Sequence, residues 1–88
     1  MGAFKKDVLR KCILLQLNAS YPASMTPFMI LQGAKINGLN TSEGDIEREL
    51  EYLRERGFLT LFSSELSAGL KRAKISAKGI DYLESEGF

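Results

Sequence analysis

Residues 44–59 read GDIERELEYLRERGFL, and this segment decides the fold. Its apolar residues Ile46, Leu50 and Leu53 recur at four- and three-residue spacing, which is the pattern of an amphipathic helix. Gly57 follows arginines that suit the negative end of a helix dipole, and glycine tolerates the left-handed conformation that often ends a helix. The spacing of apolar residues changes directly after Gly57. The segment therefore predicts a helix that ends at Gly57 and leads straight into a strand.

Two earlier helices are predicted from the same kind of pattern. The first covers Phe4 to Leu17, where apolar residues recur at three- and four-residue spacing: Phe4, Val8, Leu9, Cys12, Ile13 and Leu15. Thr26 followed by Pro27 is typical of an N-cap and a first helical position, so we expect a short second helix from there to Gly38.

The third helix has several possible start signals. The candidate N-caps are Asn40, Thr41 and Ser42, and Glu43 or Asp45 at the third helical position would complete a capping box. An acid in the first turn also stabilises a helix by a few tenths of a kcal/mol through the dipole.

The C-terminal third of the chain predicts a hairpin and a final helix. Residues 58–62 form the first strand, 63–69 a polar loop and 70–75 a second strand interleaved with basic residues. Ser76 is expected to cap the last helix, and Gly87 lies beyond its end.

This order of helix, helix, helix, strand, loop, strand and helix resembles the winged-helix variety of helix-turn-helix domain. The residues that carry the resemblance are the spacing from Thr26 to Gly38 to Thr41, the phrase IERELEYLRERGFL and the phrase KISAKGIDYLESEG. The resemblance implies an α+β fold: a three-helix bundle with a two-stranded β-hairpin wing and a C-terminal helix, as a single domain over residues 1–88. It is weak evidence for function, since winged helices also serve as protein-interaction modules.

A narrower resemblance extends over RKCILLQL, YLRERGFL and ISAKGIDYLESEG. This layout is similar to the small winged-helix proteins of Mu-like phages and prophages, whose role is itself poorly defined. The likeness implies a genomic setting and leaves the mechanism open.

Composition excludes several classes of protein. An 88-residue chain that is 44% hydrophobic and 26% charged is expected to form one soluble domain with one modest core. Cys12 is the single cysteine and there is no histidine, so a disulfide framework and an ordinary zinc site are excluded, and Cys12 is expected to be buried and inert. No apolar run approaches the roughly 18 residues of a membrane span. We expect a cytoplasmic protein without a cofactor or a membrane partner.

An enzyme is not expected either. The sequence has no histidine base, no nucleophile beside a base and no glycine-rich phosphate loop. Its closely spaced carboxylates fit a charged helix surface.

The charge of the third helix complicates a nucleic-acid function. Residues 41–57 hold three arginines against six acids, a net charge of −3, whereas residues 1–40 carry +4. The outward face is expected to carry Thr41, Gly44, Arg48, Glu51, Tyr52 and Glu55. In helix-turn-helix docking, mainly the N-terminal residues of the reading helix reach base edges. Thr41, Ser42, Gly44 and Arg48 are therefore the candidate base-contacting residues, and Glu43 or Asp45 could accept a hydrogen bond from cytosine instead of only capping the helix.

The second strand supplies the other basic cluster. Lys71, Arg72 and Lys74 could lie along the phosphate backbone, as wings do in related domains, or could protect a strand edge against aggregation.

Two functions remain open. The first is a transcriptional regulator that binds double-stranded DNA and is expected to be a homodimer. Helix one and the C-terminal residues Leu83 and Phe88 are candidate dimer surfaces, although they could equally close the core. The second is a protein-interaction winged helix whose acidic third helix meets a basic partner.

Overall fold

The computed structural model describes residues 6–63 and 71–87. Within them the chain forms four helices and two strands in the predicted order, which confirms the α+β class. The elements are α1 Lys6–Ser20, α2 Pro27–Ile36, α3 Glu43–Glu55, β1 Leu59–Ser63, β2 Lys71–Ile75 and α4 Ala77–Ser85. Phe4, most of the predicted polar loop and the first residue of the predicted second strand lie outside the described residues.

Hydroxyl side chains start three of these helices. Thr26 caps α2, and Ser42 caps α3 with Asp45 as the reciprocal partner of a capping box. Ser76 caps α4 and also donates a 2.6 Å hydrogen bond to the carbonyl of Gly57. Each cap satisfies a backbone N–H at the helix start and contributes about 1 kcal/mol. The predicted caps at Thr26 and Ser76 are confirmed, and of the three candidates for α3 the chain uses Ser42.

The hairpin pairs β1 and β2 in antiparallel register, from Leu59 opposite Ile75 to Ser63 opposite Lys71. Met25, in the connection between α1 and α2, pairs with Ala73 on the other edge of β2 through backbone hydrogen bonds of 2.8 and 2.7 Å. The second strand therefore lies between β1 and a one-residue bridge. An isolated bridge has no alternating pattern, and the sequence did not predict it.

The core confirms the predicted apolar face of α3. Ile46, Leu50 and Leu53 are at most 2% exposed. They pack with other apolar residues that come from every element: Leu9, Ile13, Leu14, Leu17, Ile30, Leu31, Phe58, Leu59, Ala73, Ile75 and Leu83. Of the two expectations for Leu83, a dimer surface or part of the core, the structure shows the second, since Leu83 is 1% exposed. Phe88 lies outside the described residues.

The prediction for α1 was partly wrong. Val8 and Leu15 are 45% and 39% exposed, and Cys12 is only half-buried. Apolar residues cover more than one face of α1, and only one face packs against the other helices. Periodicity alone cannot choose between two apolar faces of the same helix.

Gly57 and Gly79 allow the chain to turn and to pack where α3, β1 and α4 meet. Gly57 has φ +82°, as expected for a residue that ends a helix in the left-handed region. A Cβ atom on Gly79 would lie 2.1 Å from the carbonyl oxygen of Phe58. The start of α4 can therefore rest directly on the backbone that enters β1.

Across residues 6–63 and 71–87, no helix is long and apolar enough to cross a bilayer. The same residues contain no group of three or more potential metal ligands.

Candidate nucleic-acid interface

Arg48 lies in the second turn of α3, where its side chain is in solvent in a defined position. Its side chain is 68% exposed, and Nη1 donates a 3.2 Å hydrogen bond to Oδ1 of Asp45, three residues earlier. An arginine has five N–H donors, so most of the guanidinium stays available to a ligand. The N-cap Ser42 and, in the first turn, Gly44 are also exposed.

Asp45 is occupied by donors from this chain. Its Oδ2 accepts hydrogen bonds from the Ser42 backbone N–H at 3.3 Å and from the Thr41 hydroxyl at 3.4 Å. The hydrogen bond from the Ser42 backbone is the largest cause that holds the pKa of Asp45 below its usual range, and Arg48 adds to it. Asp45 therefore caps the helix and orients Arg48, and the alternative in which it accepts from cytosine would require these bonds to break.

Two residues expected on the outward face lie elsewhere. Thr41 is only 8% exposed, because the helix begins two residues later and the Thr41 side chain turns inward to support the cap. Tyr52 is half-buried, with the Arg10 guanidinium 3.7 Å above its ring centroid. The prediction that both face outward was wrong.

The acids of α3 are partly neutralised by bases from other elements. Glu49 is 4% exposed, and its Oε1 accepts a 2.5 Å hydrogen bond from Nε of Arg10 on α1. Oε2 of Glu51 lies 3.8 Å from Nζ of Lys71 in the wing, in addition to the hydrogen bond that Glu51 accepts from Arg54 within α3 itself. The charge of −3 counted along the sequence therefore overstates the negative potential at the helix surface.

Sequence reasoning missed the pair of Arg10 and Glu49. A signal existed, because Glu49 lies three residues after Ile46 and four before Leu53 and so shares their buried face. A buried acid requires a buried base, but the spacing did not indicate which of the bases it was.

The three basic residues of β2 do not form one cluster. Strand alternation turns Lys71 to the same sheet face as Ala73 and Ile75, towards α3, and turns Arg72 and Lys74 to the opposite face. Arg72 is held by Ser24, with Nε 2.7 Å from its hydroxyl and Nη2 3.2 Å from its carbonyl. Of the three, only Lys71 lies on the side of α3.

Sequence comparison alone gives no assignment. No protein-family model matches the chain, and a search of curated proteins found no match.

Solved structures do match the fold. The chain is similar to a PadR-like transcription factor from Bacteroides fragilis, with a TM-score of 0.74, 26% identity, and coverage of 91% of this chain and 77% of that chain. A PadR family transcription regulator from Clostridium difficile gives a TM-score of 0.67 at 18% identity, covering 85% and 81% of the two chains. A ferric uptake regulator from Francisella tularensis gives 0.68 at 15% identity, covering 98% and 79%.

These likenesses confirm the winged-helix fold. In its terms, α1, α2 and α3 form the three-helix bundle, β1 and β2 form the wing, and α4 is the C-terminal helix. The narrower resemblance to phage proteins finds no support in these structures.

Proposed function

We propose that this chain is a winged-helix transcription regulator that binds double-stranded DNA, with α3 in the major groove and the wing on the phosphate backbone. The observation that carries the proposal is the exposed N-terminal part of α3, where Asp45 in the first turn holds Arg48 in the second turn towards solvent. The similar proteins from Bacteroides fragilis and Clostridium difficile are described as a transcription factor and a transcription regulator, which supports the same proposal.

Arg48 is the principal base-reading residue in this proposal. A guanidinium that donates two parallel hydrogen bonds to O6 and N7 of guanine discriminates by about 1–3 kcal/mol against the wrong base. The bond to Asp45 reduces the freedom that the side chain would lose on binding. Ser42 and Gly44 flank it, whereas Thr41 contributes by holding Asp45 and not by reading bases.

The wing contributes through charge in this proposal. Lys71 lies on the α3 side and can reach the phosphate backbone beside the groove that α3 occupies. In the unbound protein, Nζ of Lys71 lies 3.8 Å from Oε2 of Glu51, so a DNA phosphate must compete with this ion pair. Arg72 and Lys74 face the other way, and any phosphate they reach belongs to a different part of the nucleic acid.

A homodimer over this 88-residue module completes the proposal, because one small module covers only a short DNA site. Three exposed residues of α1, Val8, Leu15 and Ala19, and the half-buried Cys12 follow one another at alternating four- and three-residue spacing, the pattern by which two helices pair. They line a groove of about 570 Å³ that is available to the α1 of a second copy.

The direct test of this proposal is to measure the base preference of an Arg48→Ala variant. Arg48→Ala should lose about 1–3 kcal/mol on the best duplex site and relax the preference at one base position. Selection from a random duplex library, followed by competition measurements on single-base variants of the best site, would show both effects. An unchanged preference profile for a folded Arg48→Ala variant would refute the assignment of α3 as the reading helix.

The alternative, a basic protein partner on the acidic face of α3, predicts the opposite response to loss of acid. Replacing Glu51 and Glu55 by glutamine removes repulsion from phosphates and releases Lys71, so DNA binding should stay equal or tighten. If the face serves a basic protein, the same substitutions should weaken capture of that protein.

A further inference from the structure

The outer face of the wing hairpin carries a group of side chains that the proposed duplex contact does not use. Strand alternation places Phe62 on this face, next to its register partner Arg72, and places Lys74 two residues further along β2. Tyr21 lies beside Lys74, whose Nζ is 5.7 Å from the centroid of the ring. These four residues, Tyr21, Phe62, Arg72 and Lys74, are termed the outer wing face.

Both aromatic rings are exposed to solvent. Phe62 is 44% exposed and Tyr21 is 52% exposed. Leu59 and Ile75 on the inner face of the same hairpin are 2% exposed and already close the core. The two outer rings are therefore not required to bury the hairpin.

The outer wing face is also free of negative charge in the segments that form it. Residues 18–28, 57–63 and 71–76 contain no aspartate or glutamate, although the whole chain has 11 acidic residues. The nearest acid along the sequence, Glu65, lies in the loop outside the described residues. Arg72 and Lys74 thus give this face a positive charge, and its complement is an anion.

Arg72 is held in place on this face. Two hydrogen bonds to Ser24 fix its guanidinium beside Phe62. Phe62 is the register partner of Arg72, and Tyr21 lies beside Lys74, so each ring has a cation next to it on the same face.

We infer that the outer wing face binds single-stranded nucleic acid, with bases stacked on Phe62 and Tyr21 and the intervening phosphates paired with Arg72 and Lys74. A duplex hides the faces of its bases, so it would use the cations and leave both rings exposed. Unpaired bases use all four side chains, and stacking on aromatic residues combined with basic groups is the usual way in which proteins hold a single strand. This site is separate from the first turn of α3 and does not depend on the duplex contact proposed there.

The test uses the full chain and a fluorescein-labelled, mixed-sequence deoxyoligonucleotide of about 12 nucleotides, the length scale of one single-strand site. Fluorescence anisotropy is measured with this strand and with the same strand annealed to its complement. Tyr21→Ala and Phe62→Ala should each weaken single-strand binding by about 5-fold to 150-fold, the range expected for losing one stacked base. Duplex binding should be nearly unchanged in both.

Matched variants separate stacking from misfolding. Tyr21→Phe and Phe62→Tyr keep a ring at each position and should bind the single strand within about 3-fold of wild type, less than the loss of one stacked base. Arg48→Ala should weaken duplex binding and leave single-strand binding unchanged. The single-strand results would hold even if the duplex proposal failed, since the two sites use different residues.

Three results would overturn the inference. The first is single-strand binding that is absent at low salt or unaffected in folded Tyr21→Ala and Phe62→Ala variants. The second is an equal loss in the variants that keep the rings. The third is a polyglutamate peptide that binds as tightly as the strand and depends equally on both rings, which would assign the face to an acidic protein.

Discussion

Removing the charge of Arg10 should destabilise the whole domain. Arg10 lies in the N-terminal part of the chain, where the sequence shows an excess of basic residues and gives no sign that one of them has a buried partner. Arg10→Met keeps the apolar stem of the side chain and leaves the carboxylate of Glu49 without its partner. The two side chains are 27% and 5% exposed, and Nε and Oε1 are 2.5 Å apart. Breaking a fully buried pair costs about 3–5 kcal/mol.

Water reaches Arg10 more readily than Glu49, so the expected loss is near the lower end, about 3 kcal/mol. It includes the contact of the guanidinium with the Tyr52 ring, 3.7 Å from its centroid. Since a mutation that costs 1 kcal/mol lowers the melting midpoint of a domain this small by about 4–8 °C, Arg10→Met should melt roughly 12–24 °C below wild type. Urea unfolding followed by circular dichroism gives the free energy directly.

A double-variant cycle isolates the pair. Arg10→Met combined with Glu49→Leu removes both charges and should be more stable than Arg10→Met alone, because no unpaired carboxylate stays buried. Glu47→Gln, two residues earlier on the exposed side of α3, is the matched control and should lie within about 0.5 kcal/mol of wild type. An Arg10→Met loss below about 0.5 kcal/mol, or strictly additive single losses, would refute this reasoning.

Two further predictions concern the backbone and the acid stability. Gly79→Ala should lower the free energy of unfolding in urea by about 2–3 kcal/mol, because its Cβ would lie 2.1 Å from the Phe58 carbonyl oxygen. Gly44→Ala in the exposed first turn of α3 is the control and should raise the free energy of unfolding by up to about 1 kcal/mol. Equal effects of the two substitutions would contradict the packing of α4 on this backbone. The folded-state pKa of Asp45 lies below its usual value of 3.8, so its contribution is present above that pH and is lost as the pH falls through the lowered pKa. Asp45→Asn should remove part of the decline in stability below about pH 4, and acid denaturation curves of the two proteins that are identical in shape would be inconsistent with this role.

The local pattern of apolar residues was sufficient to predict the helices and strands and their order. The period of Ile46, Leu50 and Leu53 and the glycine after α3 each depend on a few neighbouring residues, and this kind of information is present in a sequence window. The failure at Val8 and Leu15 has the same origin. The window shows that α1 is apolar on more than one side, but the partner helices decide which side is buried.

The arrangement of the candidate site could not be predicted in the same way, because it depends on contacts between residues that are far apart in the sequence. Arg10 and Glu49 are 39 residues apart, and Arg72 and Ser24 are 48 apart. No periodicity links such positions, so the sequence could offer Arg10 and Arg72 only as surface bases. The separation of Lys71 from Arg72 and Lys74 was available from strand alternation alone, whereas the bond that holds Arg72 was not.

The central claim is that α3 and the wing bind duplex DNA, and a salt titration of that binding tests it most directly. Anisotropy with a mixed-sequence duplex from about 50 to 200 mM salt should show affinity that falls steeply, with a log–log slope of about −0.9 for each phosphate contact. Lys71→Ala should reduce the magnitude of the slope by about 0.9, the value for one phosphate contact. Arg48→Ala should lower the affinity for the preferred site with little change in slope. Absence of binding at the lowest salt, or an affinity that does not change with salt, would contradict the account.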